Sequence, residues 1–564
     1  MPGSRSAAGI SAAPLKTEAM SVAAYPEFFN DVFGPVMQPG SSSHFAGPCR
    51  LGYLAGHLLG EPSSRVRILL DEHGSFAGTF GIMAEDRAMV GGVLGFLPDD
   101  ERLFRAFELA EEAGAEVSFE LTELTESRHP NAVKFVLTGR SGRAAELVGN
   151  STGGGMVETV TVNGFPLRTI GDTYVLLVFD AQRQIGEEQL AALERELPEL
   201  VGSHEVGVDG RGVLRAYMLA VEPDLVALNG LLTAGLPGVG AAILRPLLPV
   251  ISQLDRKPQL FDTMTGWREI AAREDLPLWE VAVQYEMDAS GWPRAWIIDR
   301  MRMLAGLMRR QTRAVYEEDL VVPTSPFKPD FAGRWAEHAA SGRAVADGVT
   351  AQTIKWAYGA GSGIPGVVVV PGPMGGGAGY IYAAMSAVQD ARGLSEDDLL
   401  RGLFVAAGIG AIAYTRSAPT GEVTGCTGEA GTCGAMAAAA ITEMVGGSPE
   451  QGENAASLAL QAFTGMPCDP MPGGICQPCR SRILASTCMA HVFADLALAG
   501  HEAVLPLHEA IDVADGIGRS LPPELLCTSA GGACAAPAAQ RCRADFEQWF
   551  AESKPEERPP ASLI

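Results

Sequence analysis

Apolar and polar positions change rhythm about halfway along the chain. Short apolar or alternating runs dominate the first part. Val66 to Leu70, Glu116 to Leu121 and Val133 to Leu137 read as strands, and Asp100 to Ala113 as a helix. From Pro26 to about Gly149 this mixture predicts a compact α+β domain. Ser151-Thr152-Gly153-Gly154-Gly155 is followed by the alternating Val157 to Val162 and by Asn163-Gly164, a strand-and-turn signature that marks a new unit. Thr173 to Phe179 then reads as a buried strand, Gly186 to Leu200 as a Glu- and Leu-rich helix, and Arg215 to Val221 as another strand, the order of a small α/β regulatory-type module. Beyond about Pro249 the period becomes helical over Leu278 to Met287, Pro293 to Thr312, Glu396 to Ala413 and Gly434 to Val445. Pro323 to Ala344 carries several prolines and little periodicity, so a long surface loop is expected. The fold class is therefore multidomain, with an α+β N-terminal domain, a small α/β module and a large, mostly α-helical C-terminal domain. Expected boundaries are a tail over 1–24, domains over 25–165, 166–245 and 246–548, and a charged, Pro-rich mobile tail over 549–564.

The chain has 564 residues, enough for two to four domains, and its 47% hydrophobic and 19% charged residues suit large buried cores rather than disorder. A net charge of -25 with no Lys/Arg-rich block argues against nucleic acid and anionic membranes and for a small-molecule substrate. No run of 18 uninterrupted apolar residues occurs, and the first 24 residues lack the apolar core of a secretory signal, so a cytoplasmic setting is expected. One of the ten cysteines is Cys49, and the other nine fall between Cys426 and Cys542, which points to a local site rather than a disulfide framework.

Within that cluster Cys426, Cys468 and Cys479 stand in Gly/Pro-rich surroundings: Gly425-Cys426-Thr427-Gly428-Glu429, Cys468-Asp469-Pro470 and Pro478-Cys479-Arg480. Thiolates on loops and helix starts suit iron-sulfur cubanes, since backbone amides there can point at the sulfides, and three ligands leave one iron open. Two other readings stand beside this one. Free cysteines are often small buried apolar residues, and Cys476-Gln477-Pro478-Cys479 is a C-x-x-C pair of the zinc type, although no second pair completes it. Pro39-Gly40-Ser41-Ser42-Ser43-His44-Phe45-Ala46-Gly47-Pro48 gathers hydroxyls, an imidazole and flexible backbone. It can bind a carboxylate and present a base, or simply cap a helix. Gly372-Pro373-Met374-Gly375-Gly376-Gly377-Ala378-Gly379 lacks the ending of a phosphate loop and fits a cavity-lining turn or close helix packing.

In this order the segments resemble the iron-sulfur-dependent L-serine dehydratases (L-serine ammonia-lyases), with β and α parts fused in one chain from about Pro26 to Arg541. The first half contributes Ser41-Ser42-Ser43-His44 with Gly47-Pro48, Gly74-Ser75-Phe76-Ala77, Gly91-Gly92-Val93-Leu94, His129-Pro130-Asn131 and Asn163-Gly164-Phe165. The second half contributes Gly425-Cys426 with Glu429 and Gly431, Gly446-Gly447-Ser448-Pro449-Glu450-Gln451, Cys468-Asp469-Pro470, Pro478-Cys479 and Gly531-Gly532. The resemblance implies a β-type domain, an ACT-like module and a helical catalytic domain. It implies a 4Fe-4S cluster on Cys426, Cys468 and Cys479, whose open iron binds the substrate while a base removes the Cα proton, releasing pyruvate and ammonia without pyridoxal phosphate. His44 and Ser43 are the expected catalytic residues. Ser41, Ser42, Gly47, Asn131, Gly376 and Gly377 are expected to bind substrate, and the chain is expected to pair with a second copy.

Several motif positions depart from that pattern. Ile82-Met83-Ala84-Glu85-Asp86 stands where the family has Gly-His-Gly-Thr-Asp, so Met83 replaces a histidine. Phe45 replaces a Thr, Ile483 an Asn, Cys527 a Glu and Met374 a Thr. Loss of hydrogen-bonding partners at a site that reads polar groups shifts specificity. Two alternatives follow. One is a different elimination, of sulfide from cysteine or of water from a biosynthetic intermediate, and the other is a non-catalytic binding protein.

Overall fold

The computed structural model describes residues 25–81, 83–225, 227–228, 238–471 and 478–553. The expected N-terminal tail, residues 554–564 of the expected C-terminal tail, Ile82 and the Cys476 half of the C-x-x-C pair lie outside the described residues.

Strand period shapes the first sheet. In β1 (Ser63–Asp71) Val66, Ile68 and Leu70 are buried, while Arg65 and Arg67 alternate outward and pair with Glu116 and Glu120 on β2 (Glu116–Thr122). β3 (Ala132–Gly139), β4 (Ala144–Gly153), β5 (Met156–Val162) and β6 (Phe165–Pro166) complete the order β2-β1-β3-β4-β5-β6, parallel between β1 and β2 and antiparallel elsewhere. The Gly-rich stretch expected to open a new unit is instead a hairpin inside this sheet: Gly153 pairs with Met156, and the left-handed glycines form the turn. Helix Gly47–Leu59 covers the sheet through Leu51, Leu54 and Leu58, which pack with Val66, Ile68, Phe135 and Leu147.

β7 (Tyr174–Asp180), β8 (Leu200–Val208), β9 (Gly212–Leu219) and β10 (Val239–Leu244) form a second, wholly antiparallel sheet in the order β10-β7-β9-β8. Helix Glu187–Glu196 bridges β7 and β8 and buries Leu193, the split strand-helix-strand arrangement of ferredoxin-like units.

The rest is mostly helical. Helices Gly377–Arg392, Glu396–Arg416 and Thr432–Met444 form its centre, where Ala435 and the run Ala437 to Ala440 let backbones approach closely. Helix Glu396–Arg416 is long and apolar enough to cross a membrane, but 78% of its most apolar window is buried inside the protein, as in a core helix. The segment expected as a long loop holds helix Phe331–Ala340. Asp330 caps it by accepting from Gly333 N at 2.8 Å, and Phe331 stacks on Tyr358 with ring centroids 5.9 Å apart. Its apolar face rests on Phe331, Ala332 and Trp335, too short a stripe to stand out between flanking prolines. Helix Pro537–Glu552 runs past the expected boundary at residue 548, held by Trp549 against Phe327 and Phe546.

The segment before His44 is moored to the helical region. Phe28 N donates to Glu286 Oε2 at 2.7 Å, Tyr285 donates to Pro26 O at 2.9 Å, and Asn30 and Val250 exchange two hydrogen bonds.

Candidate active site and metal centre

The thiols of Cys426, Cys468 and Cys479 are buried and lie within 4.8 Å of one another. Each is placed by a local break. Gly425 interrupts the helix at φ 66° and ψ -167°, and a Cβ there would strike the Met466 carbonyl, so only glycine lets the segments carrying Cys426 and Cys468 meet. Cys479 opens helix Cys479–Cys488. Cys468 sits in an isolated bridge to Leu526 just before Asp469, which accepts from Arg482 at 2.7 Å and from Ala533 N at 2.7 Å. Arg482 also points Nη1 at the Cys426 sulfur, 3.6 Å away. The neighbouring thiols of Cys426, Cys479 and Cys527, together with burial, hold Cys468 well above the ordinary thiol range. Three buried sulfur donors with a cation beside them fit a thiophilic metal or an iron-sulfur cluster, whose charge would draw the protons off.

A second group lies alongside. Ser41 caps the turn Ser42–Ala46, accepting from His44 N at 3.3 Å, and Ser42 is buried in the same turn. Ser43 donates to Glu422 Oε1 at 2.6 Å and lies 3.0 Å from His44 Nδ1. The other ring nitrogen is 2.8 Å from Ser75 Oγ, which donates to Cys527 O at 2.8 Å. Asn131 Nδ2 donates to the same Glu422 oxygen at 3.1 Å, and Ser151 donates to Ser43 O at 2.7 Å. All these side chains are buried. Burial pushes His44 below its ordinary value of 6.5, against the pull of Glu422. Burial pushes Glu422 up, but His44, the Ser43 hydroxyl and the Asn131 amide outweigh it, and its value lies below the ordinary 4.5. The pair therefore rests as neutral imidazole and carboxylate.

Counting hydrogens shows what this chain can do. It runs Glu422, Ser43, His44, Ser75, Cys527 carbonyl, with four contacts and an acceptor at each end. Two hydroxyls and a neutral imidazole supply one hydrogen fewer than the contacts need. A proton arriving on the bare ring nitrogen completes every contact, so the network is built to receive one. Beside it, Glu422 Oε2 and Asn131 Oδ1 are buried acceptors without a hydrogen-bond partner among the described residues, a place for an ammonium group.

The remaining expected site residues are structural neighbours of these groups. Gly47 opens its helix against Ser151. Gly376 takes φ 72° at the start of helix Gly377–Arg392 and offers its carbonyl to Gln311 at 3.1 Å, and Gly377 faces the Cys433 thiol. Their loop passes close to Ser41 and Ser42 through Gly375. Of the replaced positions, Met83 and Ile483 are buried, and Phe45 turns into the core against Phe104, with ring centroids 6.1 Å apart. Sequence reasoning gave no role to Glu422, Ser75, Ser151 or Cys527. The available signal was charge: from Ala418 to Ala440 the only charged residues are Glu422 and Glu429.

Residues 273–533 match the family profile described as serine dehydratase alpha chain. The chain is 40% identical over 156 residues to the L-serine dehydratase beta chain of Peptoniphilus asaccharolyticus, covering 28% of this chain and 69% of that one. It is 31% identical over 217 residues to the alpha chain of the same organism, covering 38% and 74% respectively. Against the L-serine dehydratase of Mycobacterium bovis it is 32% identical over 243 residues, 42% of this chain and 49% of that protein, so it matches about half the length of this relative.

Proposed function

Because the chain belongs to the L-serine dehydratase family, with beta- and alpha-chain parts in one polypeptide, we propose that it is a 4Fe-4S-dependent lyase that eliminates a β-substituent from serine or a related amino acid. The products would be a 2-oxo acid, pyruvate in the case of serine, and ammonia. The observation that carries this reading is the proton-deficient chain through His44 beside the buried trio Cys426, Cys468 and Cys479.

When bound on the three thiolates, the cluster would supply a Lewis-acidic iron that polarises the leaving group. The protein's own groups do the rest. Glu422 Oε2 and Asn131 Oδ1 accept hydrogen bonds from the substrate ammonium and orient Cα. His44 takes the Cα proton on the ring nitrogen that lacks one. Ser43 and Ser75 hold the ring on both sides, and Glu422 stabilises the imidazolium that forms. Burial of the whole group excludes water from the carbanion-like centre. The second sheet is proposed as an ACT-like regulatory module on its strand order.

Anaerobic purification with iron and sulfide analysis, followed by a pyruvate assay with L-serine, tests the proposal. A protein without cluster and without turnover would sink it. A second reading keeps the cluster and changes the leaving group, to sulfide from cysteine or water from another β-hydroxy amino acid. It is favoured by Met83 and Ile483, buried apolar side chains at positions where the resemblance calls for histidine and asparagine. Cluster assembly with no pyruvate from serine, and turnover of one of these other substrates, is its expected signature.

A further inference from the structure

Lys328 and Arg480 are buried cations that the scheme above leaves unused. They are 3% and 7% exposed, and neither forms an ion pair with a described residue. Lys328 Nζ donates to Gly363 O at 3.3 Å and Arg480 Nη2 to Gly361 O at 3.2 Å, carbonyls two residues apart. The other N–H groups of both side chains find no acceptor among the described residues, and Arg480 Nε is fully enclosed without one. The flat face of the guanidinium is taken, lying 5.0 Å over the ring of Phe331.

The surroundings add to this positive potential or fail to cancel it. Arg480 lies in the first turn of helix Cys479–Cys488, where the helix dipole opposes a cation. Residues 472–477, which lead into that helix, contain no Asp or Glu. Asp330, the acid whose pull reaches Lys328, accepts from Gly333 N as a helix cap. Burial and repulsion from Arg480 bring the Lys328 ammonium down to about 7 against that pull. Holding a turn by two carbonyls needs only neutral donors, so two buried charges that repel each other exceed what that task requires.

We propose that Lys328 and Arg480 form a binding site for an anionic oxygen group, a carboxylate or a phosphate. Helix geometry relates it to the thiols. Cys479 and Arg480 diverge by about 100° around their helix, and Ile483, one turn on, falls between them. An anion held by Arg480 therefore reaches the trio across the buried Ile483, the side chain that stands where the resemblance calls for asparagine. Two sources supply such a group: a second acidic group on the substrate, or a free inorganic anion. Only the first rests on the elimination reading above.

The test measures inorganic phosphate binding to the anaerobically purified full-length protein by calorimetry and melting temperature, against sodium chloride at equal ionic strength. It is repeated on Lys328→Met and Arg480→Met. Phosphate is expected to bind and to raise the melting temperature beyond the effect of chloride. Each variant should bind it at least about tenfold more weakly, the worth of one charge-assisted hydrogen bond. Without phosphate, Lys328→Met should melt higher than the unaltered protein, because it removes one of two repelling charges and keeps the apolar stem. That separates a lost site from a damaged fold, and a lower melting temperature instead would make the charge structural and overturn the site. Phosphate acting no better than chloride, or binding equally in all three proteins, overturns it as well. β-Hydroxyaspartate, a β-hydroxy amino acid with a second carboxylate, identifies the source. Phosphate displaced by it but not by serine assigns the anion to the substrate, and phosphate binding unmoved by it assigns a free anion. A protein without cluster or turnover would sink the elimination reading while leaving the phosphate result to stand or fall by itself.

Discussion

The two halves of the site are built by opposite means. The thiol half comes from one region: Cys426 and Cys479, 53 residues apart, meet because helices break at Gly425 and start at Cys479. The proton-handling half is assembled from far-separated segments, with Ser43 and Glu422 379 residues apart and Ser75 and Cys527 452 apart. The thiol half therefore depends on local backbone geometry, and the histidine half on how the α/β region docks against the helical one. Metal binding and proton transfer should fail separately.

The largest effect expected is from Cys426→Ala or Cys479→Ala, which should abolish iron content and turnover together, read by iron analysis and pyruvate assay. His44→Gln should leave iron in place and lower kcat by roughly 100- to 10,000-fold, the usual worth of a positioned general base. If instead iron is lost with His44, the two halves are not separable. Ser75→Ala removes one of two groups holding the ring and should cost about tenfold in kcat/KM, with the fold and iron unchanged. The pH profile sharpens the same point. Burial lowers the His44 value, so the base stays deprotonated to lower pH, and the acid limb of kcat/KM should lie below the ordinary 6.5.

The smallest effect concerns the mooring of the histidine half. Burial raises the Glu286 carboxyl to about 8, with the Phe28 N–H opposing. A carboxyl whose folded value is raised stabilises the fold fully below its unfolded value, and that contribution is lost as pH rises through about 8. The melting temperature of the unaltered protein should fall from pH 5 to pH 9 more steeply than that of Glu286→Gln. Parallel curves would mean that Glu286 is not protonated in the fold.

Legibility from sequence followed the same divide. The strands β1, β2 and β3 and the long helices stood out because their apolar periods are local. Cys426, Cys468 and Cys479 stood out because thiols amid Gly and Pro are unusual, and the Ser41 to His44 run because it is dense in polar groups. Glu422 and Ser75 carry no local mark, since an acid at a helix start and a serine after a glycine are commonplace caps. Their roles arise only from tertiary contact with His44. Helix Phe331–Ala340 was hidden by its prolines, and the Gly153 to Gly155 turn looked like a linker because glycine serves hairpins and linkers alike.

The hydrogen bond from Ser75 to the Cys527 carbonyl has a consequence for biosynthesis. It joins residues 452 positions apart, a distance the ribosome covers in roughly 20 to 90 s. The first sheet and its covering helix can fold early in that interval, holding Ser43, His44 and Ser75 in place with nothing opposite them. The site closes only once residues through Cys527 have emerged, so a chain cut before Cys527 should keep a folded α/β region while Ser75 loses the carbonyl that fixes it beside His44.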